Sequence, residues 1–356
     1  MAELLVNLET IYNNARTVVN FCKENGIFVT GVVKGCNALL PVVSVFIAAG
    51  CKGIGSSRIN HLRKLRMEGY KVPLWLLRPP SPSEIPESVM FADVVLVSDL
   101  KILEMIEESA KEIKKEVQAI LMVDVGDLRE GWWPAEDVLT IIPELKKFTY
   151  VKIIGIGTNM GCYGGVVPDE KNTGKLVTIA ENMRKEGIGI EIISGGATSS
   201  LPLLLEKSLP EGVNNLRVGE GILLGRDLSE LWNKPFPGVK LDGFVLRAEI
   251  LEIRTKPSVP EGEIFVDAFG RKPVFVDKGL RKKAVLGVGK ADFMSPEFLI
   301  PREEGIEILG ASSDHLILDV EDYKGKLKVG DFLEFELRYG GLLGLTASED
   351  VKKVFI

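Results

Sequence analysis

From residue 27 to about residue 219 the chain alternates short apolar runs with amphipathic stretches. The apolar runs fall at 27–33, 52–57, 72–77, 93–98, 119–125, 151–157, 190–194 and 215–219. Several of them, such as IFVTGVV, DVVLVS and AILMVDV, are almost wholly apolar. Strands that read this way are covered on both faces, as in a parallel sheet. The stretches between them have helical spacing and start signals: Asp99 caps DLKILEMIEESAKEIKKE, and Pro134 opens PAEDVLTIIPELKK. Strand and helix alternating about eight times predict a (β/α)8 barrel. An open doubly wound sheet is the alternative. It would want a glycine-rich turn after the first strand, where this chain has Lys34-Gly35-Cys36-Asn37.

The pattern changes after residue 235. NKPFPGVKLDG reads as a linker. Beyond it FVLRAEILEIR, GEIFVDAF, KPVFVD, KKAVLGVG, HLILDV and DFLEFELRYG are strand-like, with little helical periodicity. The expected organisation is a barrel over residues 1–235 followed by an antiparallel β domain over 236–356.

Composition narrows the function classes. With a net charge of -6 over 356 residues, the chain has no electrostatic reason to approach nucleic acid or an anionic membrane. No apolar run is long enough to span a bilayer, and the N-terminal segment lacks the basic and apolar regions of a signal peptide. Cys22, Cys36, Cys51 and Cys162 form no CxxC pair, which points to a reducing, cytoplasmic setting. His61 and His315 are the only histidines, so no metal site is expected.

Reacting groups of such barrels sit at the C-terminal ends of strands. Those ends carry Lys34, Ser56, Ser57, Arg78, Asp124, Thr158, Asn159, the SGGATSS run from Ser194, and Arg217 with Gly219. An ammonium directly after GVV should be partly desolvated, which lowers its pKa and makes the amine nucleophilic toward a carbonyl. The competing reading is a rim lysine, or one paired with Asp124. SGGATSS and RVGEG each feed backbone amides toward a following helix, which suits a phosphate. Each is also simply a tight turn that needs glycine. GTNMGCYGGVVP reads equally as an active-site loop or an ordinary long surface loop, and Arg129 lies just beyond the fifth barrel strand, where its planar donors could meet a carboxylate or simply face solvent.

Taken together, VVKGCNA, VDVGDLREG, GIGTNMGCYGG, SGGATSS and LRVGEGILLGRD resemble the alanine-racemase-like, fold type III pyridoxal-phosphate (PLP) enzymes, nearest to their ornithine racemase branch. The resemblance runs along nearly the whole chain. It makes Lys34 the Schiff-base lysine and Arg129 the contact to the cofactor's phenolic oxygen and the substrate carboxylate. Ser199, Gly219 and Glu220 (the last two by backbone amides) would hold the phosphate, and Arg217 would face the pyridine nitrogen. In the β domain, AVLGVGKAD and LGASSDHLILDV resemble characteristic racemase segments, placing Ser313 and Asp314 at the edge of the site. The resemblance also implies a head-to-tail homodimer whose sites are shared between subunits.

This chain departs from the family at instructive positions. Phe269 stands where the family has a tyrosine base, and Asn159 replaces the histidine that supports that tyrosine. Ala38 replaces a second tyrosine, and Met122 a lysine that some members carbamylate. A phenyl ring exchanges no proton, so the second base is open among Cys162, Tyr163, Asp314 and His315. The resemblance implies racemisation of a free amino acid, with Lys34 exchanging the α-proton on one face. The branch resemblance implies ornithine or lysine as substrate, and the lost phenols would leave room for it, with Asp314, Asp292 or Glu220 to receive a distal ammonium. Alanine racemase, a basic amino-acid decarboxylase and a PLP-carrier protein are the alternatives. The β domain lacks the decarboxylases' cysteine, and the carriers end at the barrel.

Overall fold

Each apolar run between residues 27 and 219 forms a strand in the computed structural model, which describes residues 2–356. After an opening strand β1 (Glu3–Val6) come β2 (Phe28–Val32), β3 (Gly53–Ser56), β4 (Leu74–Leu76) and β5 (Val94–Val97). They are followed by β6 (Val117–Met122), β7 (Val151–Gly157), β8 (Ile192–Ser194) and β9 (Asn215–Val218). Strands β2 to β9 pair in parallel, in chain order, and close into a barrel. The closing register sets Phe28 against Asn215 and Gly31 against Val218.

The residues explain the closure. β3, β4 and β5 are buried along their whole length, as strands inside a helix-covered sheet must be. Trp75, Leu96, Ile120 and Met122 pack in one interior cluster. Gly31 lets the helix Leu40–Ala48 approach β2, because a Cβ there would lie 2.4 Å from the ring of Phe46. Asp99 caps the helix Leu100–Ile113, its carboxylate accepting the amides of Lys101 at 2.7 Å and Ile102 at 3.3 Å. One expected helix is different. Residues 134–147 form a 3-10 stretch, Ala135–Ile141, and then the short helix Ile142–Leu145. Pro143 lacks an amide hydrogen and would clash with the carbonyl four residues earlier, so one continuous α-helix cannot form.

The chain divides into two compact units: Thr10–Lys240, and the residues up to Glu9 together with Leu241–Ile356. The opening strand therefore belongs to the β unit, whereas the sequence pattern grouped it with the barrel and drew the boundary at residue 235. Its burial alternates from residue to residue, the signature of a strand with one covered face rather than of a barrel strand. β1 pairs antiparallel with β10 (Phe244–Pro257) and parallel with β16 (Lys352–Phe355).

The rest of that sheet comprises β11 (Leu280–Leu286), β12 (Leu299–Pro301), β13 (Glu307–Ala311), β14 (Leu316–Asp319) and β15 (Phe332–Leu337). The order is β12-β15-β10-β11-β14-β13, all antiparallel, over a core that includes Phe244, Phe293 and Phe335. The two strands expected in GEIFVDAF and KPVFVD do not form. No strand lies between Pro257 and Leu280, and the alternating apolar side chains there face solvent, Phe265 at 80% and Val274 at 89% exposure. They have the composition of strands but no neighbouring strand in their own chain to pair with.

Within the barrel unit one buried side chain ties distant segments. Asn14 donates to the carbonyls of Ile222 at 3.1 Å and Lys240 at 2.8 Å, and accepts the Lys240 amide at 2.8 Å. Asn14→Ala would leave several of these groups without partners, each costing about 1–3 kcal/mol. We expect the unfolding free energy of the barrel to fall by about 3 kcal/mol, read from urea denaturation.

Candidate active site

Lys34 is the second residue after β2 and opens a single 3-10 turn, Lys34–Cys36. The turn is fixed on both sides. The Val33 amide donates to Gly55 O at 2.9 Å, and the Ala38 amide closes back on Val33 O at 3.0 Å. Asn37 and Ala38 both adopt left-handed backbone conformations, with φ of 49° and 46°. The imidazole of His61 spans from this turn to the end of β3: Nε2 donates to Asn37 Oδ1 at 2.8 Å, and Nδ1 accepts from Ser56 Oγ at 2.9 Å. Burial, with the nearby charges of Lys64 and Arg58, holds the His61 pKa down to about 4.

The ammonium of Lys34 is itself destabilised. Burial lowers its pKa first, and the guanidinium of Arg129 lowers it further, as Arg217 does, while Cys162 and Glu130 act in the opposite direction. These four side chains are the electrostatic surroundings of Lys34. Asp124, offered by the sequence as an alternative partner, instead accepts the Gly126 amide at 2.7 Å. Arg78 is likewise engaged elsewhere, by both Glu84 oxygens at 2.8 Å and by Ser57 O at 2.7 Å.

Arg129 sits on the loop after β6, which folds back so that Trp132 exchanges backbone bonds with Met122 and Asp124. Gly131 makes this return possible: its φ is 138°, and a Cβ would lie 2.3 Å from the Asp124 nitrogen. The guanidinium grips the carboxylate of Glu130 through Nε and Nη2, and Nη1 donates to Cys162 Sγ at 3.1 Å. Cys162 is held by the loop around it. Asp127, only 1% exposed, accepts the Tyr163 amide on one oxygen and the Val166 amide on the other, each at 3.1 Å. Tyr163 itself points away, 76% exposed.

Arg217 lies inside the barrel, 5% exposed. Its Nη2 donates to Thr158 O at 2.6 Å and its Nη1 to Ser194 Oγ. Burial brings its pKa down to about 10, opposed by Glu130 and assisted by Arg129, so it stays cationic at neutral pH. The two glycine turns meet, with the Gly221 amide donating to Thr198 Oγ1 at 3.1 Å. Ser199 Oγ anchors to Met160 O at 2.7 Å, and a Cβ on Gly219 would press against Val32 at 3.0 Å. Glu220 has another job: its Oε1 accepts the amides of Arg226 at 2.8 Å and Asp227 at 3.0 Å. Burial and Asp227 push its pKa upward.

The barrel thus brings together Lys34, Arg129, Cys162 and Arg217, with Ser199, Gly219 and Glu220 at the two turns. The remaining candidates belong to the β unit. Ser313 Oγ donates to Asp314 Oδ2 at 2.5 Å, and the His315 amide donates to Ser312 Oγ at 3.1 Å. Phe269 is covered by Lys290, whose Nζ lies 3.8 Å from the ring centroid. Asp292 is engaged by the Gly289 amide at 3.1 Å and Ser348 Oγ at 2.7 Å. Sequence reasoning missed Glu130, Asp127 and His61. The first two lie in the same VDVGDLREG segment as Arg129, where acids beside glycines read as an exposed turn. Among the described residues no cluster of metal-ligating side chains occurs, and no helix is long and apolar enough to cross a membrane.

Residues 6–227 match the family described as alanine racemase, N-terminal domain. The chain is 41% identical to a lysine racemase of Thermotoga maritima over 99% of its length and 98% of that protein. It is 40% identical to an ornithine racemase of Acetoanaerobium sticklandii over the same shares. The crystal structure of alanine racemase from Streptomyces lavendulae superposes over the whole chain and 97% of its own, with a TM-score of 0.76 at 17% identity, which shows a common fold.

The depressed His61 pKa has a consequence for stability. Below its unfolded value of 6.5 the unfolded chain takes up a proton that the folded chain refuses until about pH 4. The contribution of His61 to stability is therefore fully present above pH 6.5 and is lost as the pH falls toward 4. His61→Gln should flatten that part of the profile, measured as urea midpoints across the same pH range.

Proposed function

We propose that this chain, which belongs to the alanine racemase family, interconverts the enantiomers of a free basic amino acid, ornithine or lysine, using PLP held at Lys34. The observation that carries the reading is the desolvated Lys34 amine at a barrel strand end, set among two guanidiniums and a single carboxylate. That donor set suits an anionic carbonyl cofactor. Asn159 Nδ2 is in addition buried without a hydrogen-bond partner among the described residues, a donor for which a bound group would supply an acceptor. Similarity to lysine and ornithine racemases along the full length supports a basic substrate, and its extension through the β unit weighs against a carrier that ends at the barrel.

Lys34 would hold the cofactor through Nζ. Ser199 with the Gly219 and Glu220 amides would hold its phosphate, and Arg217 would meet the ring nitrogen. When bound, PLP makes the substrate α-proton acidic. Arg217, cationic and already committed to Thr158 and Ser194, has no reason to protonate a ring nitrogen, which favours simple return of the proton over other outcomes. Lys34 Nζ, kept toward its neutral form, takes or returns the α-proton on its own side. Arg129 Nη1 gives one hydrogen to Cys162 Sγ and has a second that would receive the substrate carboxylate. Ser313 and Asp314 would reach a barrel site from a second copy, so we infer a homodimer with shared sites. The exposed apolar residues Phe265, Val274 and Val276 support a protein partner for the β unit. Four unpaired cysteines support a cytoplasmic setting.

Ornithine or lysine should exceed alanine and norleucine in kcat/KM by about 100-fold or more. Norleucine keeps lysine's length but leaves the partner of its ammonium buried and unpaired, a loss of several kcal/mol. Equal efficiency for lysine and norleucine would remove the basic-substrate reading. Borohydride treatment of the protein with PLP should place the label on Lys34 in a peptide map, and Lys34→Ala should abolish racemisation. Sedimentation equilibrium should give twice the chain mass, and Phe265→Glu with Val274→Glu should halve it.

A further inference from the structure

Half of the racemisation is still without a residue. Racemisation needs a proton exchanger on each side of the α-carbon, and Lys34 supplies one side only. The groups that act electrostatically on Lys34 within the barrel unit are Arg129, Cys162, Glu130 and Arg217. Both arginines keep their protons at neutral pH. The Glu130 carboxylate is gripped side-on by Arg129. Cys162 is the remaining member, and a thiol can both give and take a proton near neutrality.

The geometry points to Cys162 as the catalytic residue that exchanges the α-proton on the side away from Lys34, with Glu130 as its positioning residue acting through Arg129. Three features fix the sulfur. Arg129 Nη1 donates to Sγ at 3.1 Å, and the same guanidinium is locked by Glu130 on its other edge, so it cannot swing away. On the N-terminal side Gly161 is pressed so closely to Ser199 that a Cβ would lie 2.8 Å from the serine's own. On the C-terminal side the amide of Tyr163 is held by the buried Asp127, and Gly164 lies over the Asp127 carbonyl, where a Cβ would come within 2.5 Å. The backbone on both sides of Cys162 is thereby held in place.

The step balances simply. In one direction the pair begins as the Cys162 thiolate and the Lys34 ammonium: the α C–H bond breaks, its proton goes to Sγ, and the electron pair stays with the substrate. The Lys34 ammonium then gives a proton to the same carbon from the opposite side. The turnover ends with the thiol protonated and the amine neutral, and exchange with solvent restores the starting pair. In the other direction the two residues trade roles.

The inference rests on the racemase reading, and its test separates the two. In Cys162→Ala, racemisation should fall by about 10³-fold in both directions. Exchange of the α-proton of one enantiomer with deuterium oxide should continue, because Lys34 still serves its side. Cys162→Ser should behave like the alanine variant, a hydroxyl being too weak an acid. A second readout does not depend on turnover. Cys162 is the exposed one of four cysteines, so iodoacetamide reports on it, and saturating ornithine should slow its alkylation in the holoenzyme by about tenfold or more. In Glu130→Gln, kcat for exchange on the thiol side should drop by about tenfold while the Lys34 side stays within about twofold. Equal loss on both sides would make Glu130 merely structural and overturn its part. Racemisation by Cys162→Ala within about threefold of the parent, or alkylation indifferent to ornithine, would overturn the role of the thiol. A parent enzyme that racemises no amino acid would overturn the reading beneath it instead.

Discussion

A parallel barrel exists only if its last strand meets its first, and here side chains as well as the backbone ladder hold that seam. Asn215 on β9 donates to Thr30 Oγ1 on β2 at 3.1 Å and to Phe28 O at 3.2 Å, and accepts Ser194 Oγ from β8 at 2.6 Å. Ser194 in turn receives Arg217, which also reaches the Thr158 carbonyl beyond β7. One polar chain therefore runs across four strands in a fully buried place, where each missing partner would cost about 1–3 kcal/mol. Lys34 opens the turn two residues beyond the strand on one side of the seam, and Arg217 stands on the strand at the other. The separation of these two groups thus depends on barrel closure.

What the seam fixes, the loop after β6 tunes. The site holds two guanidiniums, the partly desolvated Lys34 amine and the carboxylate that clamps Arg129. At the end of β6 the interior is apolar, with Met122 packed among Trp75, Leu96 and Ile120. The one negative charge comes instead from the loop, from the residue next to Arg129. A guanidinium held on one edge by its sequence neighbour presents the other edge in a fixed direction, with less rotamer freedom to lose on binding.

The barrel was legible because its signal is redundant: eight apolar runs at the right spacing, each flanked by helical periodicity. Lys34 and Arg217 could be picked out because strand ends carry reacting groups, and polar residues after apolar runs are easily seen; Arg129 and Cys162 lie on loops beyond the strands and stood out only through the family resemblance. Other features depend on tertiary partners that leave no local trace. β1 has a strand's pattern, and only its pairing with β10 and β16 assigns it to the β unit. GEIFVDAF and KPVFVD alternate as strands do, but strand formation needs a partner edge as well as a pattern. Glu130 and Asp127 looked like ordinary turn acids; burial by the returning loop converts one into a guanidinium clamp and the other into a loop anchor.

The packing of the loop around Cys162 bears on how such a site changes over time. Gly161 and Gly164 cannot acquire a side chain without displacing Ser199 or the Asp127 backbone, so the loop's path is closed to gradual drift. Between these fixed points, Cys162 and Tyr163 project from backbone that need not move when they are replaced. Evolvability is therefore concentrated in two side chains rather than spread along the loop. A new proton exchanger or a reshaped pocket could be sampled there one substitution at a time, with the scaffold's stability left almost untouched.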